Sequence, residues 1–556
     1  MCGIAGSFGA ASSSTMFDAV FRDLGHRGPD ASGVAYGSEH ALGMNRLRFR
    51  GDPVALPVSG DGLVSAFNGQ VYGYLGPGGA YTPIVDGVAG EIAIAATCTA
   101  ADGMFAYSRY SPRTASFTLA TDWHFIKPLF VRQFDSGTVF ASEMTPLLKH
   151  GQRAQVDLEA LAELFAYGWY LSDQTCAAQV SLVWKHDVQI SANGLERMPK
   201  RAASAQSLAP TLTAAGAPAL RRAIAESVRR STLGCGPIGL ALSGGLDSSI
   251  LAWELNALGF EELVCITVQT ADGAEDLGSL AQLGLPVPGA WQRWKHVIVA
   301  VDDQHFLDAF AASTRAFGQP TTMSSLPLYQ QLADAAAVHG VRAMLLGEGV
   351  DEYFAGYASY AKAAALPTLQ DYYRFPARRR LVECLFGQAA RARVESRFDQ
   401  QYGECSDLRE IETQMRLTRL LLRSDVCLMS RSIEGRVPFL HNGIPAMAMA
   451  LSWDEVSAEP GKMPLRRAYL EDLGERAMRP KVRFKSSDAM LLRCLDLDNL
   501  EGRVVDQCAQ LFGRAATSDA IASLRSADGF DADVLCLLMS LTFLLESGLL
   551  DGDSGH

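Results

Sequence analysis

The stretch IGLALSGGLDSS, residues 238–249, decides the fold of the C-terminal half of the chain. The apolar run Ile238 to Leu242 is typical of a buried β-strand, and the residues from Ser249 to Leu258 have the apolar spacing of a helix. The Gly-rich turn between them allows a tight reversal and leaves the first N–H groups of the helix available to an anion. This order predicts a phosphate-binding loop at the edge of a parallel sheet.

Apolar segments alternate with helical patterns around this loop. A helix is predicted from Ala219 to Arg230, and strands are predicted from Leu263 to Val268, His296 to Val301 and Val341 to Leu346. Strands that alternate with helices indicate a parallel sheet flanked by helices. Beyond Tyr360 the pattern is mostly helical.

The N-terminal part has a different rhythm. Short β-like runs, such as Leu63 to Tyr72, Thr114 to Ala120 and Thr138 to Ser142, are separated by turn residues, and a helix is predicted from Leu158 to Tyr167. Residues 201–216 are rich in Ala, Ser, Thr and Pro, which is typical of a linker. We therefore expect a first domain at 2–200, a linker at 201–216 and a second domain at 217–556.

Composition narrows the class of protein. A net charge of −12 argues against a broad nucleic-acid or anionic-membrane surface, because both need basic residues. The 11 cysteines form no CxxC pair, which favours free thiols in a reducing cytoplasm. The N-terminus has no secretory pattern. The longest apolar run, Val534 to Leu545, is shorter than a membrane span, so we expect a buried helix.

The loop itself offers ligands to a nucleotide. Asp247 can hold Mg²⁺ on the phosphates, while the backbone and hydroxyl groups of the turn donate to phosphate oxygens. The residues assigned to ATP or pyrophosphate here are Ser243, Gly244, Gly245, Asp247 and Ser248. A plain turn with Asp and Ser caps is the alternative. The SGGxDS form resembles the loop of ATP pyrophosphatases, which attack the α-phosphate and release pyrophosphate.

Cys2 follows the initiator methionine, and removal of Met1 would give its thiol a neighbouring amine as general base. A cysteine at position 2 indicates a function only together with further motifs. The motifs downstream are HRGPD at 26–30, NRL at 45–47, FNGQVY at 67–72, DGMFA at 102–106 and ASEM at 141–144. In order and spacing they resemble class II glutamine amidotransferases. Such enzymes release ammonia from glutamine.

The second half carries further motifs of one family. GEGVDE at 347–352, EGRVPFL at 434–440 and KMPLR at 462–466 are similar to the synthetase half of the asparagine synthetase B family. The resemblance runs from Cys2 to about Lys485. It implies an α/β protein with an N-terminal Ntn-hydrolase-like αββα domain of four layers. The C-terminal domain would be an ATP-pyrophosphatase α/β domain with a parallel sheet and a helical end.

The resemblance implies roles in the glutaminase site. The Cys2 thiolate would attack glutamine, and Asn68 with the Gly69 N–H would stabilise the oxyanion. Arg46 would bind the glutamine carboxylate, with Asn68 and Gln70 also in the glutamine site.

Two positions of the glutaminase site depart from the family. Gln70 stands where the family usually has Glu, and Ala89 stands where it has Asp. Asp86 or Glu91 would then have to hold the glutamine amine. The resemblance does not decide between these two carboxylates.

In the synthetase site, Asp247 and Asp351 would hold Mg²⁺, and Lys462 would balance charge on the departing pyrophosphate. Gly347 completes the ATP site. Glu348 would orient or deprotonate ammonia as it attacks an acyl-adenylate.

These roles imply a cytoplasmic ligase that uses glutamine, ATP and Mg²⁺ to amidate a small carboxylic acid, without nucleic-acid or membrane partners. The family allows a homodimer. A lactam or macrolactam synthetase and a non-catalytic binding protein of the same fold are the alternatives. We also expect a specialised acceptor rather than aspartate, because four expected pocket positions are apolar: Leu346, Val350, Val426 and Leu428.

Overall fold

We obtained a computed structural model of the chain. It describes residues 2–9, 14–49, 56–60, 62–75, 81–83, 92, 101–200, 216–234, 236–270, 293–363, 366, 368–479, 488–525 and 531–552.

Two antiparallel sheets form the N-terminal domain. Their strands are β1 Cys2–Phe8, β2 Ala31–Tyr36, β3 His40–Arg46, β4 Val58–Gly60, β5 Leu63–Leu75, β6 Tyr81–Pro83, β7 Ala101–Ser111, β8 Ser116–Thr121, β9 Phe130–Phe134, β10 Gly137–Ala141, β12 Val180–Leu182, β13 His186–Ser191 and β14 Gly194–Pro199. The first sheet has the order β12-β9-β10-β1-β3-β2. The second has the order β14-β13-β8-β7-β5-β4, with β6 paired to β5.

The two sheets pack face to face because their strands alternate apolar residues toward a shared core. Ile4 and Val131 of the first sheet meet Phe117 and Val188 of the second in that core. On the outer face of the first sheet lie two helices, α1 (Ser14–Asp23) and α2 (Met144–Lys149). These are three of the predicted αββα layers. The fourth would cover the second sheet, where the described part of the chain supplies Ile92.

Five parallel strands form the sheet of the C-terminal domain, as predicted. They are β15 Ile238–Ala241, β16 Val264–Thr270, β17 Lys295–Val301, β18 Ala343–Leu345 and β19 Glu434–Arg436, in the order β17-β16-β15-β18-β19. The chain leaves β15 toward β16 and later returns to its other side as β18. In open α/β sheets, ligands bind outside the carboxyl ends of the strands at such a switch point.

Helices make up most of the remaining described chain. After α1 and α2 they are α3 Leu158–Tyr167, α4 Ala217–Thr232, α5 Leu246–Ala257, α6 Asp303–Phe317, α7 Leu326–Val338, α8 Val350–Tyr353, α9 Tyr360–Ala363, α10 Leu369–Tyr373, α11 Pro376–Phe386, α12 Gln388–Tyr402, α13 Leu408–Gln414, α14 Arg416–Met429, α15 Ile444–Met449, α16 Trp453–Ser457, α17 Met463–Ala468, α18 Leu470–Leu473, α19 Asp488–Asp496, α20 Leu500–Phe512, α21 Arg514–Arg525 and α22 Ala532–Glu546.

The helical end of the chain agrees with the sequence in one respect and differs in another. The apolar run Val534 to Leu545 lies in α22 and is buried, as predicted, and in the described part of the chain no helix is long and apolar enough to cross a membrane. Strand β19, however, was not predicted, because a strand of three residues between helices is too short to show an alternation of apolar and polar residues. It carries the EGR motif into the sheet.

The first and last parts of the chain also meet. Strand β11 (Ala154–Gln155) pairs in parallel with β20 (Leu550–Asp551), so a strand at the end of the helical region adds to the N-terminal domain.

Candidate active site

The first predicted site forms where β1, β3 and β5 meet. Cys2 begins β1 and stands opposite Arg46, the last residue of β3. The Cys2 backbone nitrogen donates to Asn68 Oδ1 on β5 at 2.9 Å. All three residues are buried. The structure therefore brings the proposed nucleophile, carboxylate-binding arginine and oxyanion donor together, although the motifs lie tens of residues apart.

Asn68 keeps its donor group available. Its Oδ1 is occupied by Cys2, but its buried Nδ2 has no hydrogen-bond partner among the described residues. A buried amide without a partner is costly, so such a group usually marks a place for a ligand or a water. Beside the Cys2 thiol, this amide suits the oxyanion of a tetrahedral intermediate.

Gly69 cannot be replaced without strain. Its φ of +127° lies in the region that favours glycine, and an added Cβ would stand 1.9 Å from the Met104 carbonyl oxygen on β7. The backbone next to Asn68 therefore takes a path that glycine alone allows. This path agrees with the predicted part of the Gly69 N–H in the oxyanion site.

The remaining glutamine contacts are partly visible. Gln70 is buried, and its Oε1 has no partner among the described residues. Asp86, Ala89 and Glu91 lie outside the described residues. Burial raises the pKa of the Cys2 thiol, and the positive charge of Arg46 lowers it in part. A thiol in this setting needs a base to become a nucleophile.

The second predicted site lies at the carboxyl end of β15. Ser243 Oγ accepts a hydrogen bond from the Gly245 N–H at 3.4 Å, and α5 starts directly afterwards at Leu246. An added Cβ on Gly347 would stand 2.9 Å from Asp247 Cβ, so the loop that follows β18 packs tightly against the phosphate loop. These contacts place the SGGLDS and GEG motifs side by side, with Gly244 and Ser248 in the same loop.

Lys462 joins the two predicted metal ligands. Its Nζ lies 2.6 Å from Asp247 Oδ2 and 2.7 Å from Asp351 Oδ1. Burial alone would lower the pKa of Lys462, but the two carboxylates outweigh burial and raise that pKa well above its ordinary value. Two carboxylates that share one cation lie close enough to share another, and oxygen ligands of this kind suit Mg²⁺. The donor set therefore fits the predicted metal.

Glu348 lies in a cluster that the sequence did not reveal. Its Oε1 accepts short hydrogen bonds from Arg423 of α14 and Tyr329 of α7, and a longer one from Ser424 Oγ at 3.3 Å. The Arg423 guanidinium lies 3.7 Å from the centre of the Tyr329 ring and donates to Ser325 Oγ at 2.6 Å. This cluster fixes the carboxylate in one orientation.

A cavity of about 600 Å³ connects these groups. Its wall includes Asp247, Asp351, Lys462 and Glu348, and both the phosphate loop and the start of α7 border it. Such a volume is in the range of small-molecule sites.

The prediction that four apolar residues line the acceptor pocket is wrong. Leu346, Val350, Val426 and Leu428 all belong to the hydrophobic core, and none is among the described residues that line the cavity. Their apolar character serves packing. The wall has instead a basic stripe, defined by Arg416, Arg419 and Arg423 on one face of α14.

A buried charged cluster links the two sites across the domain boundary. Arg27, from the HRGPD motif, donates through Nε to the Cys2 carbonyl oxygen at 3.4 Å and through Nη2 to Asp425 Oδ2 of α14 at 2.7 Å. Lys127 Nζ donates to Asp425 Oδ1 at 3.3 Å. Asp425 lies next to Ser424, a neighbour of Glu348. These contacts connect the nucleophile to the helix that holds Glu348.

The carboxylates of this boundary remain charged. Burial alone would raise the pKa of Glu143, but His26 and Arg27 outweigh it and hold that pKa at about 2. Burial would likewise raise the pKa of Glu434 on β19, whereas Arg436 and Lys127 help to hold it at about 2.

Comparisons with known proteins agree with this geometry. The family described as "Asparagine synthase" matches residues 219–542, and the family described as "Glutamine amidotransferase domain" matches residues 90–199. The chain is 25% identical over 582 residues to a putative asparagine synthetase (glutamine-hydrolyzing) of Mycobacterium tuberculosis, covering 87% of this chain and 85% of the relative. It is 26% identical over 375 residues to asparagine synthetase B (glutamine-hydrolyzing) of Escherichia coli, covering 62% and 61%.

A relative with a different name also matches. The amidase chry2 of Gibberella zeae is 24% identical over 385 residues, which cover 61% of this chain and 54% of the relative. The asparagine synthase match spans more than half of the chain and contains the phosphate loop, Glu348 and Lys462. The chain therefore belongs to the asparagine synthase family, as a ligase with a glutamine amidotransferase domain ahead of its asparagine synthase domain.

Proposed function

We propose that this enzyme transfers the amide nitrogen of glutamine to a small carboxylic acid that it activates with ATP. The observation that carries the proposal is that one chain brings together the central residues of both sites. Cys2 lies against Asn68 in one domain, and Lys462 lies against Asp247 and Asp351 in the other.

Glutamine hydrolysis follows from the first site. The Cys2 sulfur attacks the side-chain carbonyl carbon, and the carbonyl oxygen becomes an oxyanion facing Asn68 Nδ2. Each preorganised donor of this kind contributes about 3–4 kcal/mol to acyl transfer in other enzymes. The Cys2 amine, freed by removal of Met1, would take the thiol proton and pass it to the nitrogen of glutamine. Collapse of the intermediate then breaks the C–N bond, releases ammonia and leaves a thioester, which water hydrolyses to glutamate.

Acid activation follows from the second site. A carboxylate oxygen of the acceptor attacks the α-phosphorus of ATP, and the bond to pyrophosphate breaks, giving an acyl-adenylate. Asp247 and Asp351 would hold Mg²⁺, which neutralises phosphate charge when bound. Lys462 then places its ammonium beside the pyrophosphate as its negative charge increases.

Amide formation completes the reaction. Ammonia attacks the acyl carbon, the bond to AMP breaks, and the nitrogen loses one proton. The Glu348 carboxylate, oriented by Arg423 and Tyr329, accepts that proton or directs the nucleophile. Ammonia released at Cys2 would have to cross the domain boundary, which the buried cluster of Arg27, Asp425 and Lys127 occupies.

An isotope experiment tests this proposal. The enzyme is incubated with ATP, Mg²⁺, amide-¹⁵N-glutamine and a panel of carboxylic acids, and mass spectrometry follows the products. We expect ¹⁵N in the product amide together with AMP and pyrophosphate. Product without ¹⁵N, formed by loss of water alone, would instead indicate a lactam synthetase. The prediction of a specialised acceptor loses the support of the four apolar positions, so aspartate belongs in the panel.

A further inference from the structure

Arg419 is an unusual member of the basic stripe. It lines the cavity and is only 9% exposed. Its Nη1 donates to the Gly168 carbonyl oxygen of the N-terminal domain at 3.0 Å and to Thr322 Oγ1 at 2.7 Å. Its Nε is buried and has no hydrogen-bond partner among the described residues. The guanidinium is therefore held in place by neutral groups.

Its two neighbours on α14 each form a direct ion pair with a carboxylate. Arg416 pairs with Glu412, and Arg423 pairs with Glu348. Arg419 forms no ion pair with any carboxylate in the described part of the chain. Burial lowers the pKa of the Arg419 guanidinium to about 10, and the positive charge of Arg416 adds to that effect. Asp533, which lines the same cavity and pairs with Arg378, and Glu412 offset part of this effect from beyond ion-pair distance. A buried cation without a direct carboxylate partner is costly, and a bound anion would offset more of that cost.

The position of Arg419 relates it to the acceptor. Arg419 stands one helical turn before Arg423, which holds Glu348, so their Cα atoms lie about 6 Å apart along the helix axis. The reacting carboxylate must lie near Glu348 for ammonia to attack it. A group on the same acceptor, a few bonds away, would reach Arg419.

We propose that Arg419 is a specificity residue that binds a second anionic group of the acceptor. This rests on the proposed function. The acceptor would be a carboxylic acid whose far end carries a carboxylate, phosphate or phosphonate. The planar guanidinium suits each of these groups because it presents two parallel donors. Gly168 and Thr322 orient the fork from opposite domains and thus act as positioning residues.

A binding experiment separates this proposal from catalysis. The protein is saturated with Mg²⁺ and α,β-methylene-ATP, which cannot release pyrophosphate, and is titrated calorimetrically with butyrate, succinate and 3-phosphonopropionate. These acids have similar length and differ in the far group. We expect succinate or 3-phosphonopropionate to bind at least tenfold more tightly than butyrate, since a charge-assisted bond of this kind contributes about a factor of ten or more.

Two substitutions then locate the effect. Arg419→Met keeps the length of the side chain and removes its charge, so it should abolish the tenfold preference and leave butyrate binding unchanged. Thr322→Val should reduce the preference by a smaller factor. Arg431→Met is the matched control, because Arg431 lies beyond the end of α14, is 48% exposed and pairs with Asp334 on the surface.

Several outcomes would overturn the proposal. Equal binding of the three acids by the unaltered enzyme would do so, as would a preference that survives in a folded Arg419→Met protein. A weaker affinity of that variant for the ATP analogue, with the acid preference intact, would assign Arg419 to the nucleotide. Circular dichroism and the affinity for butyrate identify a variant that has merely lost its fold, in which case Thr322→Val decides. Failure of the ¹⁵N experiment with intact acid preference would affect the proposed function alone.

Discussion

The glutaminase site and the synthetase site differ in how their buried polar groups are satisfied before substrate arrives. In the first, neutral donors and acceptors are left over: Asn68 Nδ2 and Gln70 Oε1 have no partner among the described residues. In the second, opposite charges already meet, as Lys462 does with Asp247 and Asp351, and Arg423 does with Glu348.

This difference has a chemical consequence. A buried neutral amide without a partner costs less than an unpaired buried charge would, and little reorganises around it when the oxyanion forms. Two neighbouring carboxylates repel each other, and the ammonium of Lys462 between Asp247 and Asp351 offsets that repulsion. If Asp247 and Asp351 hold Mg²⁺ as proposed, Lys462 must exchange partners when the metal and ATP bind, whereas the glutaminase site only has to accept a charge.

The sharpest test of this separation removes the nucleophile. Cys2→Ala should abolish glutamine-dependent amide synthesis, because no other group in that site forms the thioester. Synthesis from ammonium salts should remain, since the charged pairs of the second site are untouched. Both rates are measured by AMP release with either nitrogen source. A folded Cys2→Ala enzyme that ammonium cannot rescue would contradict the two-site account.

The next test removes one charge from the synthetase site. Asp247→Asn should lower ATP–pyrophosphate exchange by about a hundredfold or more, because a metal ligand and a partner of Lys462 are lost together. Glutaminase activity, measured as glutamate release, should stay within twofold. If exchange is unchanged, Asp351 is the principal ligand.

A smaller effect should follow from the backbone at Gly69. In Gly69→Ala the added Cβ would meet the Met104 carbonyl, and a residue held at positive φ costs about 1–3 kcal/mol. We expect lower stability in urea and a large loss of glutaminase activity, with pyrophosphate exchange retained. Gly194→Ala is the control, since Gly194 also has positive φ, at +102°, but an added Cβ there meets nothing within 4 Å. Equal effects of both substitutions would mean that φ alone matters.

The charged cluster at the domain boundary should make the stability of the protein depend on pH in the acidic range. The pKa of Glu143 is about 2 in the folded protein against an ordinary value of 4.5, so its stabilisation is present above pH 4.5 and is lost as the pH falls toward 2. A shift of this size corresponds to roughly 3 kcal/mol. Urea unfolding at pH 5 and pH 3 captures about half of this loss, because the pKa of about 2 lies below that window. Glu143→Gln should show a smaller loss of stability between these pH values than the unaltered protein. An equal loss would mean that Glu143 does not cause the acid sensitivity.

The sequence predicted best those features that depend on residues close together in the chain. The phosphate loop lies within twelve residues between a strand and a helix, and its position follows from spacing alone. The boundaries of α3, Leu158–Tyr167, agree with the predicted helix because Asp157 caps it and Gly168 ends it. The motifs around Cys2 indicated the first site through a resemblance, and the register of β1 with β3 then placed Arg46 opposite Cys2.

The rest of the synthetase site depends on contacts between distant segments. Tyr329 and Arg423 contact Glu348 although they lie 19 and 75 residues away in the sequence. No local sequence pattern predicts these contacts. The sequence RLTRLLLR at 416–423 does show three arginines on one helical face, a signal that could have been found. Which way that face points is a tertiary property. For the same reason, the sequence could not show that Leu346 and Val350 belong to the core and not to a pocket.

The pairing of β11 with β20 bears on how the protein is made. Ala154 and Leu550 are partners, so the N-terminal domain leaves a ribosome with one strand still unpaired. Translation at about 5–20 residues per second means that roughly 20–80 seconds pass before the partner strand emerges. During that interval the exposed strand edge is open to wrong partners, and a chaperone or fast folding of the two large sheets would protect it. Early termination upstream of Leu550 would leave the first domain permanently in that state.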